Sequence, residues 1–224
     1  MATAGSILLS LGVGEVSEAA IVRNGLTYAV ASDGFNNNIG THYHSNTGGA
    51  FGNPPGKAEV GDFFNEEVRG LSEYDLTGLS ASSSALISFD VFKVAGLFLN
   101  QNDFPFVGDI DIVAYAGDNS EDLSDYQAAT LGTIGTFNTG GLSVGDTLNF
   151  DVTSIFNGAI ASSLSSLGVR LQTSAGTDAR GGAVTFDDFT LTVDDSTVVP
   201  EPTSTLGLLA LGTLGAISTV KRKQ

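Results

Sequence analysis

The fold class is decided by residues 86–94, which read LISFDVFKV. Ile87, Phe89 and Val91 fall on one face of an extended chain, with Ser88 and Asp90 opposite. This period-2 alternation predicts a β-strand that is buried on one side. Working outward, the same pattern recurs over 26–31, 68–76, 109–115, 147–152, 168–172 and 183–193.

Turn-forming pairs separate these segments, for example Asp33-Gly34, Gly48-Gly49 and Gly181-Gly182. Many short strands joined by such turns predict an all-β protein, an antiparallel β-sandwich of the jelly-roll type. Residues 153–167 instead place apolar side chains at helical spacing. They predict one short crossover helix, with Thr153 or Ser154 as its N-cap.

The last predicted strand contains a change of phase. Phe186 is at an even position, whereas Phe189 and Leu191 are at odd positions, and Asp187-Asp188 lies at the switch. The change predicts a β-bulge or corner there. A buried carboxylate without a partner is costly, and basic residues are scarce in this chain. We therefore expect a structural calcium ion at Asp187 or Asp188.

The composition excludes several classes of protein. The 224 residues include 25 acidic and nine basic side chains, for a net charge of −16. Nucleic acid is excluded as a partner, because phosphate binding requires clustered Lys and Arg. There is no Cys, so disulfides and thiol chemistry are excluded as well. With 29 Gly and only 15% charged residues, the chain does not fit a helical bundle.

The first residues carry features of a secretory signal. Residues 4–14 form a short apolar run, and Ser17 and Ala19 occupy the −3 and −1 positions of a signal peptidase site. We expect a signal peptide over 1–19, cleaved after Ala19. The basic residues that normally precede the apolar run are missing. Either the signal is weak or, as we prefer, Met1 is internal and the start lies upstream; a buried N-terminal helix or strand is the alternative.

The C-terminal region has three parts in order: Pro200-Glu201-Pro202, the apolar segment 205–220, and the basic residues Lys221, Arg222 and Lys223. As a helix, the apolar segment would be about 24 Å long, short of the ~30 Å hydrocarbon core of a bilayer. The basic tail predicts that this end stays cytoplasmic. A hydrophobic C-terminal helix that serves as an ordinary tail anchor is one interpretation.

This three-part end resembles the PEP-CTERM sorting signal of bacterial envelope proteins. The resemblance implies secretion, transient membrane anchoring through the C-terminal helix, and recognition by an exosortase, a membrane protease thought to cut near the Pro-Glu-Pro motif. It also implies an association with extracellular polysaccharide, in the cell envelope or outside the cell. The expected organisation is then a signal peptide over 1–19, a β-sandwich domain over 20–199, and a sorting signal over 200–224.

The body resembles the galactose-binding-like jelly rolls, including DNRLRE-type domains, over about residues 60–195. The segments that carry this resemblance are Arg69-x-Leu71-x-x-Tyr74-Asp75-Leu76, the strand over 85–92, residues 151–155, and Phe186-Asp187-Asp188-Phe189-x-Leu191. In that fold class an Asp of the final strand often joins a structural calcium site. The resemblance therefore implies the same role for Asp187 or Asp188.

Two further clusters could bind a metal. Asp118 and Asp122 lie in a run of oxygen ligands that lacks the Gly and Glu of an EF-hand, so the alternatives are a loose calcium site and a solvated turn before a helical cap. His42-Tyr43-His44 has the alternation of two strand ligands, but no Glu follows within 45–50 as a cupin requires. For this pair we favour an exposed polar loop over a metal site.

No catalytic motif stands in the context that its chemistry needs. Residues 141–145 (GLSVG) match G-x-S-x-G, but a predicted strand rather than a helix follows them, so they do not form a nucleophile elbow. The many paired carboxylates are expected by chance in so acidic a protein. For sugar stacking, Trp is absent, leaving Tyr43, Tyr126, Phe35 and Phe104 as candidate contacts. We expect a non-enzymatic secreted protein that weakly binds polysaccharide. The alternatives are a secreted glycan-active enzyme and a plain tail-anchored surface protein.

Overall fold

The structure is a computed structural model that describes residues 20–34, 38–175 and 182–194. Within these ranges the chain forms eleven strands and one α-helix. The strands are β1 (Ala20–Asn24), β2 (Leu26–Ala31), β3 (His42–Ser45), β4 (Ala58–Phe63), β5 (Glu66–Asp75), β6 (Ala85–Lys93), β7 (Asp109–Gly117), β8 (Thr130–Asn138), β9 (Thr147–Asp151), β10 (Ser166–Thr173) and β11 (Ala183–Asp194), and the helix is α1 (Thr153–Ala161). Short 3-10 helices span Ala50–Gly52 and Leu123–Gln127.

The eleven strands belong to one sheet, and every pairing between them is antiparallel. The order is β8-β7-β10-β5-β4-β11-β6-β9. Strand β1 pairs with β11, and β2 pairs with both β5 and β3. The predicted all-β antiparallel class is therefore confirmed, whereas the division into the two layers of a jelly-roll sandwich stays a prediction.

The sheet is curled so that its edge strands come close together. Phe137 of β8 lies 5.9 Å from Phe150 of β9 between ring centroids. Both rings also contact Phe89 of β6, which stacks on Phe189 at 4.7 Å. Curling encloses one large apolar core, because the inward faces of β4 to β11 meet across a nearly barrel-shaped interior. Residues of β2 pack in two smaller apolar clusters.

Strand β6 illustrates why the alternation was informative. Ile87, Phe89 and Val91 are at most 1% exposed, as the pattern predicts. Their neighbours on the other face are partly or fully exposed. Burying a large apolar side chain contributes about 1.5–3 kcal/mol, so this register is strongly preferred over one shifted by a residue.

The crossover helix is confirmed, but its predicted cap is wrong. Val152 occupies the N-cap position, and no side chain caps the helix from there. Asp151 Oδ1 instead accepts a 2.8 Å hydrogen bond from the Thr153 backbone N–H. Thr153 Oγ1 is occupied elsewhere, because it accepts a hydrogen bond from the Ala85 backbone at 2.9 Å. The helix follows β9 in the chain, contacts β6, β8 and β10, and packs Phe156 and Ala159 into the core.

The predicted bulge in the last strand is also confirmed. The pairing of β11 with β6 changes register between Asp187 and Thr190. Asp188 takes a φ of 50°, in the left-handed region that Asp tolerates better than most residues. One extra residue in β11 therefore turns both halves of the strand toward the core.

Candidate functional site

The residues predicted to direct sorting lie outside the described residues. They are Ser17 and Ala19 at the signal cleavage site, Pro200, Glu201 and Pro202, and the basic residues Lys221, Arg222 and Lys223. The apolar segment 205–220 lies outside them too. Among the described residues, no helix has the length and hydrophobicity needed to cross a membrane.

The carboxylates at the β11 bulge have different surroundings. Asp187 Oδ2 accepts a 2.6 Å hydrogen bond from Lys57 Nζ, so a protein cation already neutralises it. Asp188 is exposed to solvent. Neither residue belongs to a group of three or more ligand-type side chains within the part of the chain that the structure describes.

Asp118 and Asp122 lie on an exposed loop. Asp118 Oδ1 accepts a 2.9 Å hydrogen bond from the Ser120 backbone. Asp122 precedes the 3-10 helix Leu123–Gln127, and its backbone N–H donates to Asp125 Oδ2 at 3.3 Å. This arrangement matches the alternative of a solvated turn before a helical cap, and the two carboxylates join no group of three ligands among the described residues.

The exposed loop expected at His42-Tyr43-His44 is wrong. These residues form β3, which pairs with β2, and His44 is fully buried while His42 is half-buried. Alternate residues of a strand point to the same face, so the two imidazoles lie together with ring centroids 5.4 Å apart.

A carboxylate from another hairpin completes this group. Glu66 opens β5 directly after the β4–β5 turn, and its Oε2 lies 3.4 Å from His42 Nε2 and 3.7 Å from His44 Nε2. One ligand-type atom from each residue lies within 4.8 Å of the others. Within the described ranges, this is the one group of three or more such side chains close enough to hold a metal ion.

A buried network fixes the orientation of His44. Its Nδ1 lies 3.0 Å from Glu59 Oε2, and both side chains are fully buried. Glu59 Oε1 accepts hydrogen bonds from the Asn102 side-chain amide and from the Leu97 backbone. The Glu59 carboxylate is therefore held in place on both oxygens, and it directs His44 Nε2 toward Glu66.

His42 is oriented by a hydroxyl group. Thr41 Oγ1 lies 3.2 Å from the Ala31 carbonyl oxygen, which can only accept, and 3.0 Å from His42 Nδ1. The hydroxyl that donates to the carbonyl is free to accept from the imidazole. Asp33 Oδ1, 3.6 Å from the same nitrogen, adds negative charge. His42 Nε2 is thereby left to face Glu66.

Aromatic rings surround the two histidines. Phe63 and Phe98 contact His44 at centroid distances of 5.1 and 4.6 Å, and Phe51 contacts His42 at 6.0 Å. Phe51 is 72% exposed, so it lies at the outer side of the group. The rings limit water on the inner side, and the half-buried His42 and Glu66 leave an approach from solvent.

Among the residues predicted to stack on sugar rings, some are buried and others are exposed to solvent. Tyr126 is fully buried and bonds to Ser32 and Glu67, so its prediction as a surface contact is wrong. Tyr43 is half-buried, and its hydroxyl donates to the Glu121 carbonyl oxygen. Phe104 is 46% exposed. Phe35 lies outside the described residues.

Comparison with known proteins identifies the C-terminal region. Residues 198–223 match the family model described as the PEP-CTERM protein-sorting motif. This confirms the predicted sorting signal and marks the chain as a secreted or surface protein processed by an exosortase, a membrane protein. The match covers the end of the chain and leaves the body unassigned. No curated protein matches the sequence.

Proposed function

We propose that this is a secreted, non-enzymatic protein of the cell envelope or extracellular matrix, held briefly in the membrane by its C-terminal helix and then processed near Pro200-Glu201-Pro202. The observation that carries the proposal is the PEP-CTERM motif over 198–223. Signal peptidase removes residues 1–19, and the exosortase step releases or re-anchors the body at the surface.

The composition and fold of the body suit a protein that works outside the cell. It has no Cys, so its stability does not depend on the redox state of the compartment. Its fold is a strand-rich, nearly barrel-shaped sheet that curls around a large apolar core. The net charge of −16 keeps copies apart in solution and favours solubility.

Polysaccharide is the partner that we propose for this body, through weak contacts. Phe51, Phe64 and Phe104 are 72, 63 and 46% exposed, and exposed aromatic faces are surfaces on which sugar rings stack. Because the protein is strongly acidic, we expect it to associate with neutral polysaccharide in preference to acidic polysaccharide.

The sorting step is tested by intact-mass analysis after fractionation of cells that express the protein. We expect the mature wild-type protein to begin at Ala20 and to lack the segment 205–220. Replacing Pro200, Glu201 and Pro202 by Ala should leave an unprocessed chain in the membrane fraction. A matched control replaces Pro54 and Pro55 of the body, and its processing should be normal. Unchanged mass and location in the Pro200–Pro202 variant would overturn the proposal.

The non-enzymatic part has its own test. The secreted protein is incubated with neutral and acidic polysaccharides, and both co-sedimentation and release of reducing ends are measured. We expect co-sedimentation with neutral polymers, weakened in a variant with Phe51→Ala and Phe64→Ala, and no new reducing ends. Release of reducing ends would instead favour the glycan-active enzyme.

A further inference from the structure

We propose that His42, His44 and Glu66 bind one Zn²⁺ ion through His42 Nε2, His44 Nε2 and Glu66 Oε2. This zinc site is separate from the sorting signal, and it goes beyond the proposed function. The ion joins the short strand β3 to the start of β5.

The first argument is that two buried atoms of the group have no hydrogen bond. Among the described residues, neither His44 Nε2 nor Glu66 Oε2 has a hydrogen-bond partner, although both atoms are buried. His44 is fully buried, and a polar atom left without a partner in such a place destabilises the folded state. Native proteins rarely keep such atoms unless a ligand or ion satisfies them.

The second argument is the direction of the imidazole lone pairs. The Glu59 carboxylate accepts a hydrogen bond from His44 Nδ1–H, so a neutral His44 presents a lone pair at Nε2. Glu66 Oε2 presents another lone pair to the same space, 3.7 Å away. A cation bound between these two acceptors would satisfy both. The carboxylate–histidine pair behind the ligand is the second shell that metal-bound His residues usually have.

The third argument is the spacing. Zinc bonds of about 2.0–2.1 Å at tetrahedral angles separate neighbouring ligand atoms by about 3.3–3.4 Å. The two Nε2–Oε2 distances are 3.4 and 3.7 Å, and the three ligand atoms all lie within 4.8 Å of one another, so the group is close to this spacing. An octahedral ion with 90° angles and similar bonds needs about 3 Å, which fits less well.

The donor set selects the class of metal. Two imidazoles and one carboxylate suit zinc, whereas calcium and magnesium take oxygen ligands. Three protein ligands leave a fourth position, which faces the half-exposed side of His42 and Glu66 and suits water.

A role in stability follows from where the ligands are placed. Strand β3 has four residues, and within the described ranges it pairs only with β2. Glu66 follows a two-residue turn in which Phe64 adopts a φ of 55°, a strained conformation for an aromatic residue. A metal bound across these two segments stabilises both, as a disulfide does in other secreted proteins.

The experiment measures zinc binding directly. Full-length protein without a polyhistidine tag is stripped with chelator, and zinc is added during calorimetric titration, with the content checked by elemental analysis. We expect one zinc per chain. His42→Ala and Glu66→Gln should each weaken zinc binding more than the 10–100-fold that is typical when a group hydrogen-bonded to a metal ligand is changed. Glu59→Gln, which changes the partner of His44 Nδ1, should fall within that range. The control Asp109→Asn, which removes an exposed carboxylate of β7, should bind zinc normally.

Two further measurements keep the test decisive. Circular dichroism verifies that each variant is folded, and the half-exposed position of His42 makes His42→Ala the safest variant. Cobalt substituted for zinc should give the intense visible bands of a tetrahedral site. Absence of stoichiometric zinc, or unchanged binding in both ligand variants, would overturn the site. A weak octahedral cobalt spectrum, or displacement of zinc by equimolar calcium, would overturn the choice of metal.

Discussion

Lys57 Nζ lies 2.6 Å from Asp187 Oδ2, and this ion pair joins the residue before β4 to the bulge of β11. The two side chains are 16 and 15% exposed. The Lys57 ammonium also lies 4.2 Å from the centre of the Phe92 ring. A protein with nine basic residues and 25 acidic ones therefore uses one of its few cations at the place where the strand changes phase.

We expect Lys57→Met to lower the free energy of unfolding by about 1–3 kcal/mol, because it leaves the half-buried Asp187 carboxylate without its cation. In a double-mutant cycle with Asp187→Asn, the two changes should cost less together than the sum of the single changes. Urea denaturation measures the free energies of unfolding of the single and double variants. Lys93→Met is the control, since Lys93 donates to the Gly96 carbonyl, and it should add independently to Asp187→Asn.

The calcium ion at Asp187 or Asp188 stays a prediction. The Lys57–Asp187 ion pair provides a way to test it. If calcium binds there, millimolar calcium should raise the melting temperature more in Lys57→Met than in the wild type, because the variant leaves the carboxylate free. A hundredfold excess over Kd corresponds to about 2.7 kcal/mol. Asp187→Ala or Asp188→Ala should abolish the increment. An increment that survives both changes would place the calcium elsewhere, and none at all would leave Lys57 as the neutralising group.

Replacing two different glycines by Ala should change the stability of the protein in opposite directions. A Cβ at Gly168 of β10 would lie 2.3–2.5 Å from ring carbons of Tyr115, the residue opposite it on β7, so Gly168→Ala should cost about 1–3 kcal/mol through overpacking. Gly158 of α1 is exposed, and a Cβ added there would meet nothing within 4 Å, so Gly158→Ala should gain about 0.5–1 kcal/mol. Thermal and urea unfolding of both variants check the signs. Equal effects would contradict the close Gly168–Tyr115 contact.

Much of the sheet could be predicted because its inward faces are apolar. Strand β6 and the second half of β11 have buried residues at alternate positions, and alternation is what a strand buried on one side leaves in a sequence. Strand β8 was missed because its residues are mostly Thr and Gly, which give no apolar period. Strand β3 has the sequence HYHS, which shows no alternation of apolar and polar residues either, so it could not be predicted from the pattern.

The zinc group could be predicted only in part. The spacing of His42 and His44 places both on one face of a strand, and this much was visible. The cupin pattern requires a third ligand within a few residues of the histidines, whereas Glu66 comes from a different hairpin. Only the pairing of β2 with both β3 and β5 brings these segments together. The burial of His44 likewise depends on Glu59 and Phe98, which are distant in sequence.

A buried carboxylate of β5 predicts the pH dependence of stability. Glu73 is 1% exposed, and burial raises the pKa of its carboxyl group above the usual value. Backbone hydrogen bonds from Asp118 and Asn119 to Oε2 oppose this shift without cancelling it. Burial likewise raises the pKa of Asp125. The native state therefore holds protons that the unfolded chain has already released.

The sign follows from proton linkage. A raised pKa in the folded state gives stability that is fully present below the unfolded value, near pH 4, and is lost as the pH rises through the folded value. We therefore expect the free energy of unfolding of the wild type to fall as the pH rises from about 4 toward neutrality. Each such group contributes a slope of at most about 1.4 kcal/mol per pH unit.

Glu73→Gln should flatten that fall, because the amide has no proton to lose on unfolding, while its oxygen still accepts a backbone hydrogen bond. Urea denaturation at half-unit steps from pH 3 to 8 measures the profile. The matched control is Asp151→Asn, because the Thr153 hydrogen bond lowers the pKa of Asp151. Asp151→Asn should change the free energy of unfolding only below about pH 4. A carboxylate whose pKa is lowered in the folded state loses its stabilising contribution there as the pH falls. A Glu73→Gln profile parallel to that of the wild type between pH 4 and 7 would show that this carboxyl titrates normally in the folded protein.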